Sequence, residues 1–353
     1  MAPAVRDRRA VPGGGAPSRW PKDGLERVAA CPACGAVERE LLHGGLTDRL
    51  FRCAPGTWTL LRCLGCGSAY LDPRPTEDSI LLAYSDYYTH DDAAGRPVAR
   101  LQSVRDSLAN GYLNARYATR LRPTSRLGPA AAALFPLRRA KSDREVRHLT
   151  RPETGGTVLD VGCGNGDFLI QAQRAGWRAL GVDLDPAAVA SCRRAGLDAS
   201  EGTIETVDLP QGSLDAVTFG DVIEHLHRPR AALARAHELL RPGGFVWLAT
   251  PNLASRGHAR FGPEWLGLDP PRHLVVFTRG ALDQAVAEAG FEIVARPTAS
   301  FTDWVYGRSA LLAAGGRPSV AARLRTRLAD VLALVRPARA EELLVLARRP
   351  VGP

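Results

Sequence analysis

Four of the seven cysteines stand in two short knuckles, Cys31-Pro-Ala-Cys34-Gly and Cys63-Leu-Gly-Cys66-Gly. A two-residue gap lets both thiolates of a turn face one ion, and the glycine that follows permits the tight backbone around it. Two such turns complete a tetrahedral four-sulfur site. Four thiolates leave no open position for a substrate, so the ion expected is a structural Zn²⁺. The competing reading is a pair of disulfides or four unrelated buried thiols, but chance seldom places two CxxCG units, and a cytosolic chain disfavours disulfides. The interval from Cys34 to Cys63 is longer than a usual zinc-ribbon interval. Cys53 reads as a plain buried residue, and Cys163 and Cys192 lie far along the chain.

A second stretch, VLDVGCGNGDFL at residues 158–169, reads as a buried strand, a glycine-rich turn and a helix. In an open α/β sheet ligands sit at the C-terminal ends of the strands, so Gly162, Gly164 and Gly166 bring backbone close to a ligand. A dinucleotide turn is GxGxxG with pyrophosphate over the helix start. Here the third glycine comes one residue early and the helix opens on Asp167, which would repel a phosphate. Asp160 adds a second negative charge at the strand end. S-adenosylmethionine fits these features: it carries a sulfonium, an ammonium and a carboxylate, no phosphate, and a ribose with vicinal hydroxyls. Asp183, at the end of the second strand about 20 residues past the loop, stands where a carboxylate would accept both hydroxyls, with Leu184 beside it. A dehydrogenase would share the fold but not this spacing.

Methyl transfer from a sulfonium is an in-line displacement in which positioning does most of the work. A base is needed only if the acceptor loses a proton during attack, and a neutral imidazole suits a hydroxyl or an acidic carbon. His225, in Glu224-His225, and His273, in Pro-Arg-His-Leu, are the candidates. Their structural alternatives are that His225 pins the loop under the donor and that His273 anchors the Pro270-Pro271 turn. His227 and His237 read as ordinary helix or loop residues. Tyr84, Tyr87 and Tyr88 either cover the pocket or pack two domains together, Asp215 supports its strand end, and Trp265 either stacks on a substrate or packs.

The elements that must position these groups alternate from residue 157 onward. Strands are expected at Thr157–Val161, Ala179–Val182, Ala216–Phe219, Phe245–Ala249, Phe291–Ala295 and Leu343–Ala347. Helices are expected at Asp167–Ala175, Ala187–Ala195, Arg230–Leu240 and Leu282–Ala289. Asp185 and Pro186 make an N-cap and first helical residue, and Gly176 and Gly196 make stops. Such alternation means a parallel α/β sheet with helices on both faces, the last two strands forming an antiparallel edge. Two further helices are expected over residues about 98–122 and 129–150. The boundaries read as a disordered tail at 1–25, a zinc-ribbon-like domain at 26–76, a helical linker or cap at 77–150 and the α/β domain at 151–353.

At this point the motifs carry a resemblance. VLDVGCGNGDFL, GVDLDP and LDAVTFGDVIEHLHRPRAALARAHELLRPGGFVWLATPN, in that order, resemble the class I S-adenosylmethionine-dependent methyltransferases, within them the broad group of quinone and small-molecule enzymes. The resemblance covers residues 157–297, and the cysteine knuckles are similar to those of some deoxysugar C-methyltransferases, whose further sugar-site motifs are not evident. It implies a Rossmann-like sheet of seven strands, six parallel and the seventh antiparallel. It also implies that Asp160 and the loop Gly162-Cys163-Gly164-Asn165-Gly166 hold the methionine part and that Asp183 holds the ribose. Thr203 and Ile204 would flank the adenine, although many relatives have an acidic residue where Thr203 stands. Gly220 and Asp221 would line the donor pocket.

The 353-residue chain is 45% hydrophobic and 24% charged, ordinary for a soluble globular protein. No apolar run approaches the roughly 20 residues of a membrane span. The arginines of the N-terminus are followed by no apolar stretch, so it does not read as a secretory signal, and a cytoplasmic protein is expected. The net charge of +9 raises nucleic acid as a partner, but no basic run is interleaved with aromatics as a binding platform would be. The expected partner is a small-molecule or glycan-linked acceptor, with oxygen as the methylated atom. The rivals are an RNA or protein methyltransferase using the ribbon for recognition and a methyltransferase-fold binding protein without turnover. Nothing in the sequence fixes the oligomeric state.

Overall fold

The computed structural model describes residues 19–84, 104–152, 154–298, 303–315 and 320–352. The first described segment is a small β unit built from β1 (Leu25–Glu26), β2 (Arg39–Leu46), β3 (Trp58–Cys63), β4 (Ala69–Leu71) and β5 (Arg74–Pro75). The two knuckles turn on left-handed glycines, Gly35 at φ 81° and Gly67 at φ 74°, whose N–H groups donate to the carbonyls of Cys31 and Cys63. A side chain at either position would be strained, which is why each knuckle ends on glycine. Trp20 is buried and meets Trp58 edge-on at 5.2 Å. The end of the stretch read as a disordered tail is therefore packed, while residues 1–18 lie outside the described residues.

Helices α1 (Val104–Tyr117), α2 (Gly128–Leu134) and α3 (Pro136–Glu145) follow. The single helix expected over 129–150 is thus two. Phe135, at φ −125° and ψ 71°, leaves the helical region because Pro136 crowds the residue before it, and Pro136 then opens α3. The helix expected from about 98 lies partly outside the described residues, and α1 stops where Ala118 turns left-handed.

The main layer comprises β6 (Thr157–Val161), α4 (Asp167–Ala175), β7 (Arg178–Asp183), α5 (Pro186–Arg194), β8 (Asp198–Glu201), β9 (Leu214–Gly220), α6 (Pro229–Leu239) and β10 (Leu240–Pro251). It continues with α7 (Arg256–Phe261), β11 (Val275–Val276), α8 (Arg279–Glu288), β12 (Glu292–Ala295), α9 (Arg308–Ala313), α10 (Val320–Val335) and β13 (Glu342–Arg348). Seven strands form one sheet in the order β12-β13-β10-β9-β6-β7-β8. Strand β13 runs antiparallel to both β10 and β12, so six strands are parallel and one is not. The last two strands thus form the antiparallel edge read from the sequence, with β12 outermost and the reversed β13 inserted between it and β10.

Strands covered on both faces need no alternation of apolar and polar residues. Val158, Leu159 and Val161 of β6, Phe219 of β9 and Leu248 of β10 are all buried, each adding roughly 1.5–3 kcal/mol. Helix α5 begins where Asp185 accepts a hydrogen bond from the Ala187 N–H at 2.8 Å, with Pro186 as its first residue. The chain leaves β6 towards β7 on one side and returns through β9 on the other. The reversal opens a crevice at the C-terminal ends of β6 and β9.

The short strand β11 belongs to the other sheet. Val275 and Val276 pair with Tyr70 and Ala69 of β4, giving a four-stranded order β11-β4-β3-β2. The segment carrying His273 is thereby stitched into the cysteine unit.

Candidate active site

The crevice holds a cleft of about 560 Å³ whose walls include the glycine turn, the ends of β6, β7 and β9, and part of the cysteine unit. At its donor end Asp183 accepts the Gly164 N–H at 2.7 Å on one oxygen and the Asp185 N–H at 2.9 Å on the other. Burial raises this carboxyl while the backbone donors lower it. Each oxygen keeps a second lone pair, so the fixed carboxylate still has capacity for a vicinal diol.

Asp160 is buried and does not face the cleft as a lone charge. Arg147 grips it with both terminal nitrogens, the longer contact being Nη2 to Oδ2 at 3.2 Å, and the Thr218 hydroxyl donates to it at 3.0 Å. Burial pushes the carboxyl up, and the guanidinium and hydroxyl draw it down. The same guanidinium lies 3.6 Å over the ring of Phe168. A Cβ on Gly220 would come within 2.9 Å of Arg147, so glycine at that strand end makes room for the side chain. Asp167 is exposed and bonds back to Asn165. The expectation of two bare carboxylates is corrected: an arginine–aspartate pair offers one positive and one negative group, a match to an amino acid's carboxylate and ammonium.

Not every expected donor residue lines the cleft. Gly162, Cys163, Gly164, Leu184, Gly220 and Asp221 do. Gly166 instead caps α4 at φ 84°, where a Cβ would sit 2.4 Å from Leu197 Cδ1 and 3.0 Å from Cys192 Sγ. It serves packing beneath the turn. Ile204 is buried, the Thr203 N–H donates to Thr206 Oγ1 at 2.9 Å, and neither residue is among the cleft walls. Asp221 has φ 59°, an unusual conformation for a non-glycine residue, and accepts from Arg144 at 2.9 Å. Arg144 also bonds both oxygens of Glu342.

The other end of the cleft is apolar: Leu50 and Phe51 from the cysteine unit, with Leu81 and Tyr84 just after it, meet Leu266 and Val305. Tyr87 and Tyr88 lie outside the described residues. His225 and His273 both reach this recess, their ring centroids 4.7 Å apart. His225 Nδ1 lies 2.9 Å from the Arg272 carbonyl and 3.0 Å from the Tyr84 hydroxyl, and His273 Nδ1 lies 2.8 Å from the Gly267 carbonyl. A carbonyl only accepts, so each Nδ1 carries the hydrogen and each Nε2 keeps its lone pair. Burial, the largest effect on each ring, lowers His273 and takes His225 down to about 3, so both are neutral near pH 7.

Between them sits Glu224, fully buried, with neither carboxylate oxygen hydrogen-bonded and Oε1 3.9 Å from His273 Nε2. Burial lifts its carboxyl well above the ordinary range. Ligand atoms of Glu224, His225 and His273 lie within 4.8 Å of one another, close enough to share a proton or a divalent cation. Trp265 packs instead of facing the cleft, its Nε1–H donating to Glu341 at 2.7 Å. Asp215 accepts the Thr157 N–H and so supports its strand, as read from the sequence.

The four knuckle cysteines converge. Cys31 and Cys66 Sγ are 3.8 Å apart, Cys34 and Cys63 Sγ 3.5 Å, and all four lie within 4.8 Å of one another. Sulfurs each about 2.3 Å from a tetrahedral ion stand roughly 3.8 Å apart, so the cluster fits Zn²⁺. Cys53 is buried elsewhere, against Asp48 and the Ala83 carbonyl.

Comparison with known proteins adds the family. Residues 137–296 match the family model described as a methyltransferase domain. Residues 137–296 thus carry a methyltransferase domain. Among curated relatives, a probable S-adenosylmethionine-dependent methyltransferase of Mycolicibacterium smegmatis is 32% identical over 144 residues, 39% of this chain and 53% of the relative. A ubiquinone biosynthesis O-methyltransferase of Xanthomonas oryzae is 35% identical over 33% of this chain and 53% of its own length. A malonyl-[acyl-carrier protein] O-methyltransferase of Serratia marcescens is 34% identical over 35% of this chain and 48% of its own. The chain spans about half the length of the curated relatives it matches.

Among the groups on the cleft that escaped the sequence reading, Arg147, Glu224 and Phe51 matter most. Arg147 precedes β6 in no motif and is found only by its grip on Asp160. Glu224 stood beside a candidate histidine, but its unpartnered burial is a tertiary fact. Phe51 comes from a unit that looked purely structural.

Proposed function

We propose that the domain transfers the methyl group of S-adenosylmethionine to an oxygen of a small-molecule or glycan-linked acceptor by in-line displacement. The observation that carries this reading is one crevice in which the glycine turn, Asp183 and the Arg147–Asp160 pair stand beside an apolar recess holding two neutral imidazoles. The donor, when bound, supplies an electrophilic methyl group. Asp183 takes the ribose hydroxyls, Arg147 the carboxylate and Asp160 the ammonium of that ligand. The apolar recess excludes water and aligns the acceptor. His225 or His273 takes the acceptor's proton on Nε2, and the Glu224 carboxyl stands 3.9 Å from that nitrogen of His273. Two matched relatives are named O-methyltransferases, which supports oxygen as the target atom.

In the same reading Cys31, Cys34, Cys63 and Cys66 hold a structural zinc ion, and residues 26–76 form the ribbon that closes the acceptor side. Residues 77–150 form the cap and 151–353 the methyltransferase domain, in a cytoplasmic enzyme that does not act on nucleic acid. Calorimetric titration with S-adenosylhomocysteine, beside NAD and an Asp183→Ala variant, tests the donor site. Binding should exclude NAD and weaken at least about tenfold in the variant, the scale of one charged hydrogen bond. Equal binding by the variant, or no binding by folded protein, overturns the assignment.

A further inference from the structure

Helix α10 buries one side and leaves the opposite side apolar. Thr326, Ala329 and Ala333 pack inward. Leu324, Leu328, Val331 and Val335 are 60%, 56%, 49% and 72% exposed. Their spacing of four, three and four residues collects them in a stripe about 60° wide at roughly 100° per residue. A helix apolar on both sides is ordinarily covered on both. The flanks of this stripe are basic: Arg325 and Arg327 are exposed along it, and Arg336 and Arg339 are exposed just past its end.

The neighbouring surface repeats the pattern. Helix α3 packs beside α10. At its start Leu134 and Phe135 are exposed, followed by exposed Arg138, Arg139 and Lys141. Apolar side chains thus project from two separate elements, each rimmed by cations. A second copy of the chain seated on the stripe would bring a second set of the same cations, Arg325, Arg327 and Arg336, to its rim. An anionic lipid surface accepts the apolar stripe and neutralises the cations together. No described helix is long and apolar enough to cross a membrane. Helix α10 also packs against residues 303–307, whose Val305 lines the apolar end of the cleft.

We propose that the exposed stripe of α10 docks on anionic membrane surfaces, lying in the headgroup boundary. The experiment is sedimentation of the full-length protein with vesicles of phosphatidylcholine alone and of phosphatidylcholine with one-third phosphatidylglycerol. Binding should favour the anionic vesicles by about tenfold or more and fall with added salt. Leu328→Glu and, separately, Arg325→Glu with Arg327→Glu should each weaken it about tenfold or more, with affinity for S-adenosylhomocysteine unchanged. Equal binding to both vesicle types, no binding, or binding insensitive to these substitutions overturns the proposal. So does a dimer by light scattering that Leu328→Glu dissolves, which gives the stripe to a second copy. A Leu328→Glu protein of lowered melting temperature and unchanged vesicle binding means that the chain itself covers the stripe, and also overturns it.

Discussion

Replacing Arg272 by Met should cost about 4 kcal/mol of stability. The side chain is fully buried and joins three segments that meet at the acceptor recess. Its guanidinium donates to Asp48 at 3.1 and 2.7 Å, to Asp269 at 2.9 and 2.7 Å and to the Ala83 carbonyl at 2.9 Å, and it lies 4.7 Å over the ring of Phe51. Methionine keeps the volume but leaves the Asp48 carboxylate, 0% exposed, without its cation. Removing one partner of a buried pair costs about 3–5 kcal/mol, even though the N–H groups of Phe51, Cys53 and Ala54 still support that carboxylate. For a chain of 353 residues this is a fall in Tm of roughly 5 °C. Denaturant unfolding of wild type, Arg272→Met, Asp48→Leu and the double variant gives the coupling energy, expected at about 2–3 kcal/mol, because the second change removes the stranded charge. S-adenosylhomocysteine affinity should stay unchanged, since the donor half lies across the cleft. Single variants that lose under about 1 kcal/mol, or that add without coupling, would refute the reasoning.

Other perturbations address separate links. Cys63→Ser should release bound zinc, read by metal analysis, and lower the melting temperature; unchanged metal content would remove the four-sulfur site. Gly166→Ala must place a Cβ against Leu197 at a left-handed position and should destabilise by about 2 kcal/mol in denaturant unfolding; a neutral result would mean that the turn relaxes freely. His148 accepts the Trp247 Nε1–H at 3.2 Å, and burial lowers it from 6.5 to about 4. A depressed histidine stabilises the fold above its unfolded value, so about 3 kcal/mol should be lost as pH falls from 6.5 through 4. His148→Gln keeps an acceptor without that charge and should flatten the acid limb; identical pH profiles would dismiss the role of His148. His273→Ala should leave S-adenosylhomocysteine affinity intact while slowing turnover of any acceptor found; equal turnover would return His273 to a purely structural part.

The sequence by itself determined the elements whose causes are local. Periodicity, Asp185-Pro186, Gly176 and the apolar strand at 157–161 placed α4, α5, β6 and β7 within a residue or two, because caps and buried strands are written in neighbouring positions. The two knuckles likewise announced their own convergence, since each pair of thiols is set by one turn. What only the tertiary structure decided are contacts across long stretches of chain. Arg147 reaching Asp160, β11 joining β4, and Asp48 holding Arg272 close loops whose ends carry no shared pattern. Burial decided the chemistry in the same way: Glu224 and His225 are adjacent in sequence, yet the first is a carboxyl whose proton affinity burial raises and the second an imidazole fixed in one tautomer. Those states follow from desolvation and from the carbonyls and charges brought alongside, which the folded chain supplies and the local sequence does not.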